Sequence, residues 1–146
     1  MDVDESSLAQ KYTFVKLNIS GSTQISKATT TVVSKIGIPS VDEKPIIIVL
    51  TAKARYANKL ISVVEIAKRE SAASSAKYFQ YNALSSEMTE VARDSKRSEQ
   101  EGEDESDDAF ETMGAPNLTS TKKRAVPIMK TYLCAASIRE LKNAYG

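Results

Sequence analysis

The stretch that decides the fold is KPIIIVLTAKARYANKLISVVEIAKRE, residues 44–70. Its segment Ile46–Leu50 is short, unbroken and largely β-branched, which predicts a buried strand in a central position of a sheet. From about Tyr56 to Glu70, apolar residues recur at helical spacing on one face, which predicts an amphipathic helix. A buried strand therefore passes directly into a helix.

Three cations lie at this joint, namely Lys53, Arg55 and Lys59. The first backbone N–H groups of a helix have no partner within the helix, and the helix dipole favours an anion at the same end. Such a joint is a natural phosphate site. The same residues also fit an ordinary joint whose charged side chains face water, and the local pattern alone leaves both interpretations open.

Other strands and helices can be predicted on either side of this stretch. Thr13–Ile19 alternates apolar and polar residues, the pattern of a half-buried strand, and apolar residues from Ile25 to Ile36 predict a helix. Tyr78–Ala83 alternates again and predicts a third strand. The last predicted strand is Val126–Ala135, and Pro127 near its start favours an edge position.

This order predicts an α+β fold, a two-layer sandwich of β-α-β-α-β-β topology with two helices on one face of a four-stranded mixed sheet. A single domain is expected over residues 12–136, with a disordered acidic tail at 1–11 and a C-terminal tail at 137–146. Between about 87 and 124 the chain is rich in Ser, Glu and Asp without periodicity, which predicts a flexible acidic insertion.

The formal net charge of +1 conceals a strong segregation. Glu99–Glu111 contains eight of the 19 acidic residues and no Lys or Arg. The remaining 133 residues contain 20 basic and 11 acidic side chains, a net charge of +9. A basic body indicates a polyanionic partner; nucleic acid is the commonest, and an anionic membrane surface or an acidic protein are the other classes.

Several classes of function are excluded by composition. The single cysteine, Cys134, cannot form an internal disulfide and is expected to be an inert core thiol, and no histidine is present for zinc binding or acid–base catalysis. We expect no catalytic residue, metal or cofactor. The acidic N-terminus does not resemble a signal peptide, and no apolar run approaches the length of a membrane span, so the sequence predicts a soluble intracellular protein.

The joint and its helix resemble the Alba superfamily of small nucleic-acid-binding proteins. The likeness is carried by KARYANKLISVVEIAKR, residues 53–69, which follows a Pro-plus-apolar-run strand. It extends over Thr13–Ile36 and returns at Tyr78–Leu84 and Val126–Cys134. Within the superfamily, the chain is most similar to the eukaryotic Alba-like subunits of ribonuclease P and ribonuclease MRP.

The resemblance implies a non-catalytic protein that binds structured RNA, possibly DNA, through backbone phosphates. It implies a homodimer or heterodimer with another Alba-like protein, which grips an RNA stem between strand-to-helix loops and β-hairpin arms. A ribonucleoprotein particle for tRNA and rRNA processing, in the nucleus or nucleolus, is the expected setting, with the cytoplasm as the alternative. No membrane association is expected. A protein-interaction scaffold and a DNA or chromatin binder remain the alternative functions.

The candidate nucleic-acid-binding residues are Lys53, Arg55, Lys59, Asn58, Tyr56, Lys27, Lys16, Lys122, Lys123 and Arg124. Asn58 is expected either to contact a phosphate or to cap a turn, and Tyr56 to lie against a ribose, a base edge or a dimer partner. The basic run at 122–124 fits RNA binding, a nuclear targeting patch or a plain loop. Two departures from the family pattern stand out: residues 21–24 are uncharged, and the acidic segment at 99–111 is expected to compete with nucleic acid.

Overall fold

The computed structural model describes residues 3–36, 44–73, 77–92 and 121–146, and the side chains of residues 91, 92, 121 and 122 are excepted. Its elements are α1 (Glu5–Ala9), β1 (Thr13–Ile19), α2 (Ile25–Ile36), β2 (Ile46–Lys53), a 3₁₀ turn (Ala54–Tyr56), α3 (Ala57–Ala72), β3 (Phe79–Ala92), β4 (Thr121–Cys134) and α4 (Arg139–Tyr145).

The four strands form one sheet in the order β1-β2-β4-β3. β1 runs parallel to β2, from Thr13 opposite Ile46 to Ile19 opposite Ala52, and β4 runs antiparallel to β2. The α+β fold class with a four-stranded mixed sheet is therefore confirmed, as is the central position of β2.

The main core lies between one face of the sheet and the helices α2 and α3. Alternate residues of β2, including Ile48 and Leu50, point into it and are fully buried. From the helices, Val32, Leu60 and Val63 are fully buried against them. The two predicted helices thus cover the same face of the sheet, and they fix the direction in which the loops at the ends of β1 and β2 emerge.

Two short helices cover the other face of the sheet. Leu8 of α1 and Leu141 of α4 are 2% and 0% exposed, and they pack in one cluster with Val49, Tyr132 and Cys134. The prediction of a disordered tail is therefore wrong over Glu5–Ala9: a five-residue helix has no stability of its own, and tertiary packing supplies it. Burial also raises the pKa of the Cys134 thiol to about 12, as expected of an inert core thiol.

Truncation of Leu8 tests whether α1 belongs to the folded body. Because Leu8 is 2% exposed, Leu8→Ala should lower the free energy of unfolding by about 2 kcal/mol, the lower end of the range for buried leucines. Urea denaturation of this variant and of Ser7→Ala, an exposed neighbour in the same helix, measures the difference. Equal stabilities of Leu8→Ala and the parent would mean that α1 does not pack on the sheet.

β4 lies inside the sheet, between β2 and β3, and not at its edge. The pairing of β4 with β2 begins at Ile128, opposite Lys53, the last residue of β2. Pro127 therefore lies just beyond the shared ladder, where its missing N–H group removes no hydrogen bond to β2. The expectation that Pro127 marks an edge strand is wrong for this reason.

β3 and β4 also extend further than the sequence pattern predicts. Their outer parts, such as Ser85–Glu87 and Lys123–Ala125, are exposed, so no alternation of buried and exposed residues signals a strand there. The chain divides into two compact units, one formed by Met1–Glu87 with Val126–Gly146 and the other by Met88–Ala125. The acidic segment at 99–111 lies outside the described residues. None of the described helices has both the length and the apolar content needed to cross a bilayer.

Candidate nucleic-acid interface

The parallel pairing of β1 and β2 brings two loops together at one edge of the sheet. Ile19 is opposite Ala52, so the loop after β1 and the turn after β2 leave the sheet side by side. The first loop, Ser20–Gln24, leads into α2, and the second, Lys53–Tyr56, leads into α3. We call these two segments the paired-loop platform.

The Ser20–Gln24 loop is fixed by its own hydrogen bonds. The Ser20 N–H group donates to Thr23 Oγ1 at 3.0 Å, and the Thr23 N–H group donates to the Ser20 carbonyl at 3.2 Å. The hydroxyl of Ser20 lies 3.1 Å from that of Ser22 and 3.3 Å from that of Thr23. The loop therefore presents hydroxyl groups on a defined backbone without any charge of its own.

Lys59 holds this loop against the start of α3. Its ammonium donates to three backbone carbonyls, of Gly21 at 2.9 Å, of Thr23 at 3.1 Å and of Ser20 at 3.2 Å. An ammonium has three N–H donors, and all three are occupied. The expectation that Lys59 contacts a phosphate is therefore not supported by its geometry, which gives it the role of positioning the loop.

Tyr56 forms a second contact between the two loops. A Cβ atom at Gly21 would lie 3.1 Å from Tyr56 Oη and 3.3 Å from its ring edge, so only glycine leaves room for the tyrosine. The Arg55 guanidinium lies over the Tyr56 ring, with its central carbon 5.7 Å from the ring centroid. This arrangement restrains Arg55, which is itself exposed, through a cation–π contact.

The close approach of Gly21 and Tyr56 predicts non-additive mutations. Gly21→Ala should lower the free energy of unfolding by about 1 kcal/mol, because the added methyl group displaces the tyrosine ring. In a Tyr56→Ala background, where the ring is gone, the same substitution should have little effect. Thermal denaturation of the four proteins of this double-mutant cycle measures the coupling, and additive effects would contradict the contact.

The platform carries three exposed cations, Lys53, Arg55 and Lys27. Lys27, in the first turn of α2, lines a groove of about 350 Å³ together with Ser22, Thr23 and other residues of β1 and α2. In the part of the chain that the structure describes, none of the three forms an ion pair. Asn58 is exposed at the start of α3, and no side chain caps the 3₁₀ turn or α3 there, so the amide and the first backbone N–H groups face the same region.

Lys16 lies on the other face of the sheet, away from the platform. Its ammonium is 2.7 Å from Glu5, which also contacts Lys130 at 3.3 Å and accepts a hydrogen bond from Tyr132 at 3.4 Å. The hydrogen bond from Lys16 is the main reason why the pKa of Glu5 is lowered, with Lys130 adding to it. Lys16 thus holds α1 on the sheet, and the structure does not bring it together with the other candidates.

The basic run at 122–124 belongs to the second compact unit. Lys123 and Arg124 are exposed in β4, and the side chain of Lys122 is not described. The candidates therefore separate into a platform group, a residue that anchors α1 and a group on the extended strands. Sequence reasoning missed the roles of Gly21 and Lys59, although the parallel order of β1 and β2 could have shown that the residues after them meet.

The chain matches no protein-family model and no curated protein. Among solved structures, it is similar to Alba from Thermoplasma volcanium, with 12% identical residues and a TM-score of 0.43, over 81% of this chain and 98% of that chain. A likeness at this level assigns neither a family nor the role of any residue.

Proposed function

We propose that this protein is a non-catalytic, Alba-type nucleic-acid-binding protein that binds the phosphate backbone of structured RNA with its paired-loop platform. The observation that carries the proposal is the grouping of Lys53, Arg55 and Lys27, exposed and without ion-pair partners in the described chain, around a braced loop of hydroxyl groups. Such groups bind phosphate oxygens and fix the register of a protein on a helix, without reading its sequence.

The positions of the aromatic residues support recognition of a duplex over stacking on single strands. Tyr81 is 7% exposed, and Tyr78 and Phe79 are partly buried against the two cores, as the alternation of this strand predicts. Stacking on unpaired bases requires exposed ring faces. An A-form stem offers phosphates and 2′-hydroxyl groups across a shallow minor groove, which the charged and hydroxyl groups of the platform complement.

Binding of a hairpin RNA at several salt concentrations tests this function. The slope of log K against log[salt] should correspond to several phosphate contacts, each contributing about 0.9 as in duplex DNA. A hairpin DNA of the same sequence should bind more weakly at matched salt, because it lacks the 2′-hydroxyl groups. Stronger binding of the DNA hairpin would favour the chromatin alternative, and a slope near zero would contradict phosphate recognition by either.

The proposal includes a dimer with a second Alba-like chain. Its support is apolar surface on the first compact unit, since Ile61 of α3 and Leu84 of β3 are 45% and 82% exposed. The resemblance noted in residues 53–69 supports the finer proposal of a ribonuclease P or MRP subunit in the nucleus. Purifying the tagged protein from its own cells, and identifying the RNAs and proteins that accompany it, tests both points. Recovery of neither a second Alba-like protein nor a ribonuclease RNA would contradict them.

A further inference from the structure

One edge of the sheet has no neighbouring strand in the described chain. β1 is the first strand in the order β1-β2-β4-β3 and pairs only with β2. It is seven residues long, about 23 Å at the usual rise, and contains no proline. Its outer row of N–H and C=O groups is therefore continuous, and such an edge is a template for another extended chain.

A groove runs beside this edge, between β1 and α2. Leu17 and Asn18 of β1 form one side, and Lys27, Ala28 and Thr31 of α2 form the other, around a volume of about 350 Å³. The residues of β1 that point toward α2 are only partly covered, since Val15 and Leu17 are of intermediate exposure. The groove thus combines an open backbone edge with an apolar floor, the two features that strand addition uses.

Two lysines define the charge along the groove. Lys27 and Lys35 are eight residues apart in α2, with Thr31 between them at a spacing of four, so the three follow one flank of the helix. Both ammonium groups are exposed, and neither pairs with an acid among the described residues. Their separation along the helix is about 12 Å, which matches the distance of about 13 Å between residues i and i+4 on one face of a strand.

We propose that β1 is the docking edge for an extended acidic peptide of a partner protein, which adds as a fifth strand with two carboxylates, four residues apart, facing Lys27 and Lys35. Only a polypeptide backbone supplies alternating donors and acceptors to the open edge, because a phosphodiester chain has no donors. Side chains between the two carboxylates lie over Thr31 and the apolar floor. This surface serves a protein partner and extends the protein's role beyond nucleic-acid binding.

Fluorescence polarisation with a labelled peptide tests the geometry. The probe is Gly-Ser-Glu-Thr-Val-Thr-Glu-Thr-Ser-Gly, in which the two glutamates share a face. In the matched control peptide, of the same composition and charge, the glutamates are three residues apart and lie on opposite faces. We expect the probe to bind at least fivefold more tightly than the control. Equal binding of the two peptides would overturn the proposed register and reduce the interaction to general charge attraction.

Backbone pairing is tested with two N-methylated forms of the probe, one methylated at odd and one at even positions. In strand addition, only one set of N–H groups points at β1, so one form should bind at least tenfold more weakly and the other nearly as well as the parent. Unchanged binding of both forms would overturn strand addition, as would tight binding of an oligouridylate that competes with the probe.

Charge exchange identifies the two lysines. The Lys27→Glu/Lys35→Glu variant should bind the probe at least tenfold more weakly and should prefer a probe in which both glutamates are replaced by lysine. An unaltered melting temperature establishes that the variant is folded. Lys35→Glu alone should weaken peptide binding and leave the affinity for an RNA stem unchanged, which separates this site from the RNA platform. Retained binding of the glutamate probe by the double variant would contradict the site.

Discussion

Replacement of both Lys53 and Arg55 by glutamate should weaken binding to an RNA stem at least tenfold and leave the protein folded. A unit charge near a phosphate contributes about 1 kcal/mol in water at 4 Å, and reversal of its sign replaces attraction with repulsion. Two reversals therefore exceed the 1.4 kcal/mol or so that corresponds to a tenfold change in affinity. Both side chains are exposed, and the fold loses only the Arg55–Tyr56 contact, worth about 0.5–1 kcal/mol.

A variant with the same change in net charge provides the control for this result. Arg139 and Lys142 are exposed on α4, which covers the other face of the sheet, so Arg139→Glu/Lys142→Glu alters the total charge equally at a remote place. Filter-binding titrations of both variants at one salt concentration measure the effect. Equal losses of affinity would show that RNA senses only the overall charge, and that the platform is not the binding site.

The second large effect is expected at Lys59, where a conservative change should be damaging. Lys59→Met should lower the free energy of unfolding by about 2 kcal/mol, because it leaves three carbonyls without a charged donor in a partly exposed setting. Lys59→Arg retains the charge, but a planar guanidinium cannot direct three donors at three converging carbonyls. We therefore expect Lys59→Arg to recover less than half of the stability that Lys59→Met loses.

RNA binding by the Lys59 variants separates a positioning role from a phosphate contact. A displaced Ser20–Gln24 loop should weaken RNA binding in Lys59→Arg, although the positive charge remains. Guanidinium denaturation and RNA titration of the same preparations give the two readouts. An arginine variant with the stability and RNA affinity of the parent would contradict the clamp and restore Lys59 as an ordinary phosphate ligand.

The sequence predicts the part of the fold that is recorded in burial patterns. Ile46–Leu50 is unbroken because β2 is covered on both faces, and α3 shows helical periodicity because one side packs on the sheet. The remaining elements lack such a pattern. α1 is stabilised by Leu8 and by the contacts of Glu5 with distant residues, and the outer parts of β3 and β4 are exposed on both faces. Their order depends on pairing and packing that the local sequence does not show.

The same distinction applies to the candidate site. Lys53 and Arg55 are found at the joint where the sequence predicts exposed cations, since their positions follow from the strand end. Lys16 alternates into an exposed position of β1 as predicted, but its partner Glu5 comes from a segment expected to be disordered. The role of Lys59 depends on carbonyls 36–39 residues away in the chain, and no spacing rule within one helix reveals such a contact.

The central claim is that RNA binds at the paired-loop platform, and an NMR titration of ¹⁵N-labelled protein with a hairpin RNA tests it most directly. The largest amide shifts should occur at Ser20–Gln24 and Lys53–Lys59, with little change in α1 and α4 on the other face. Shifts centred on Glu5, Lys16 and Lys130, with the platform amides unmoved, would contradict the claim.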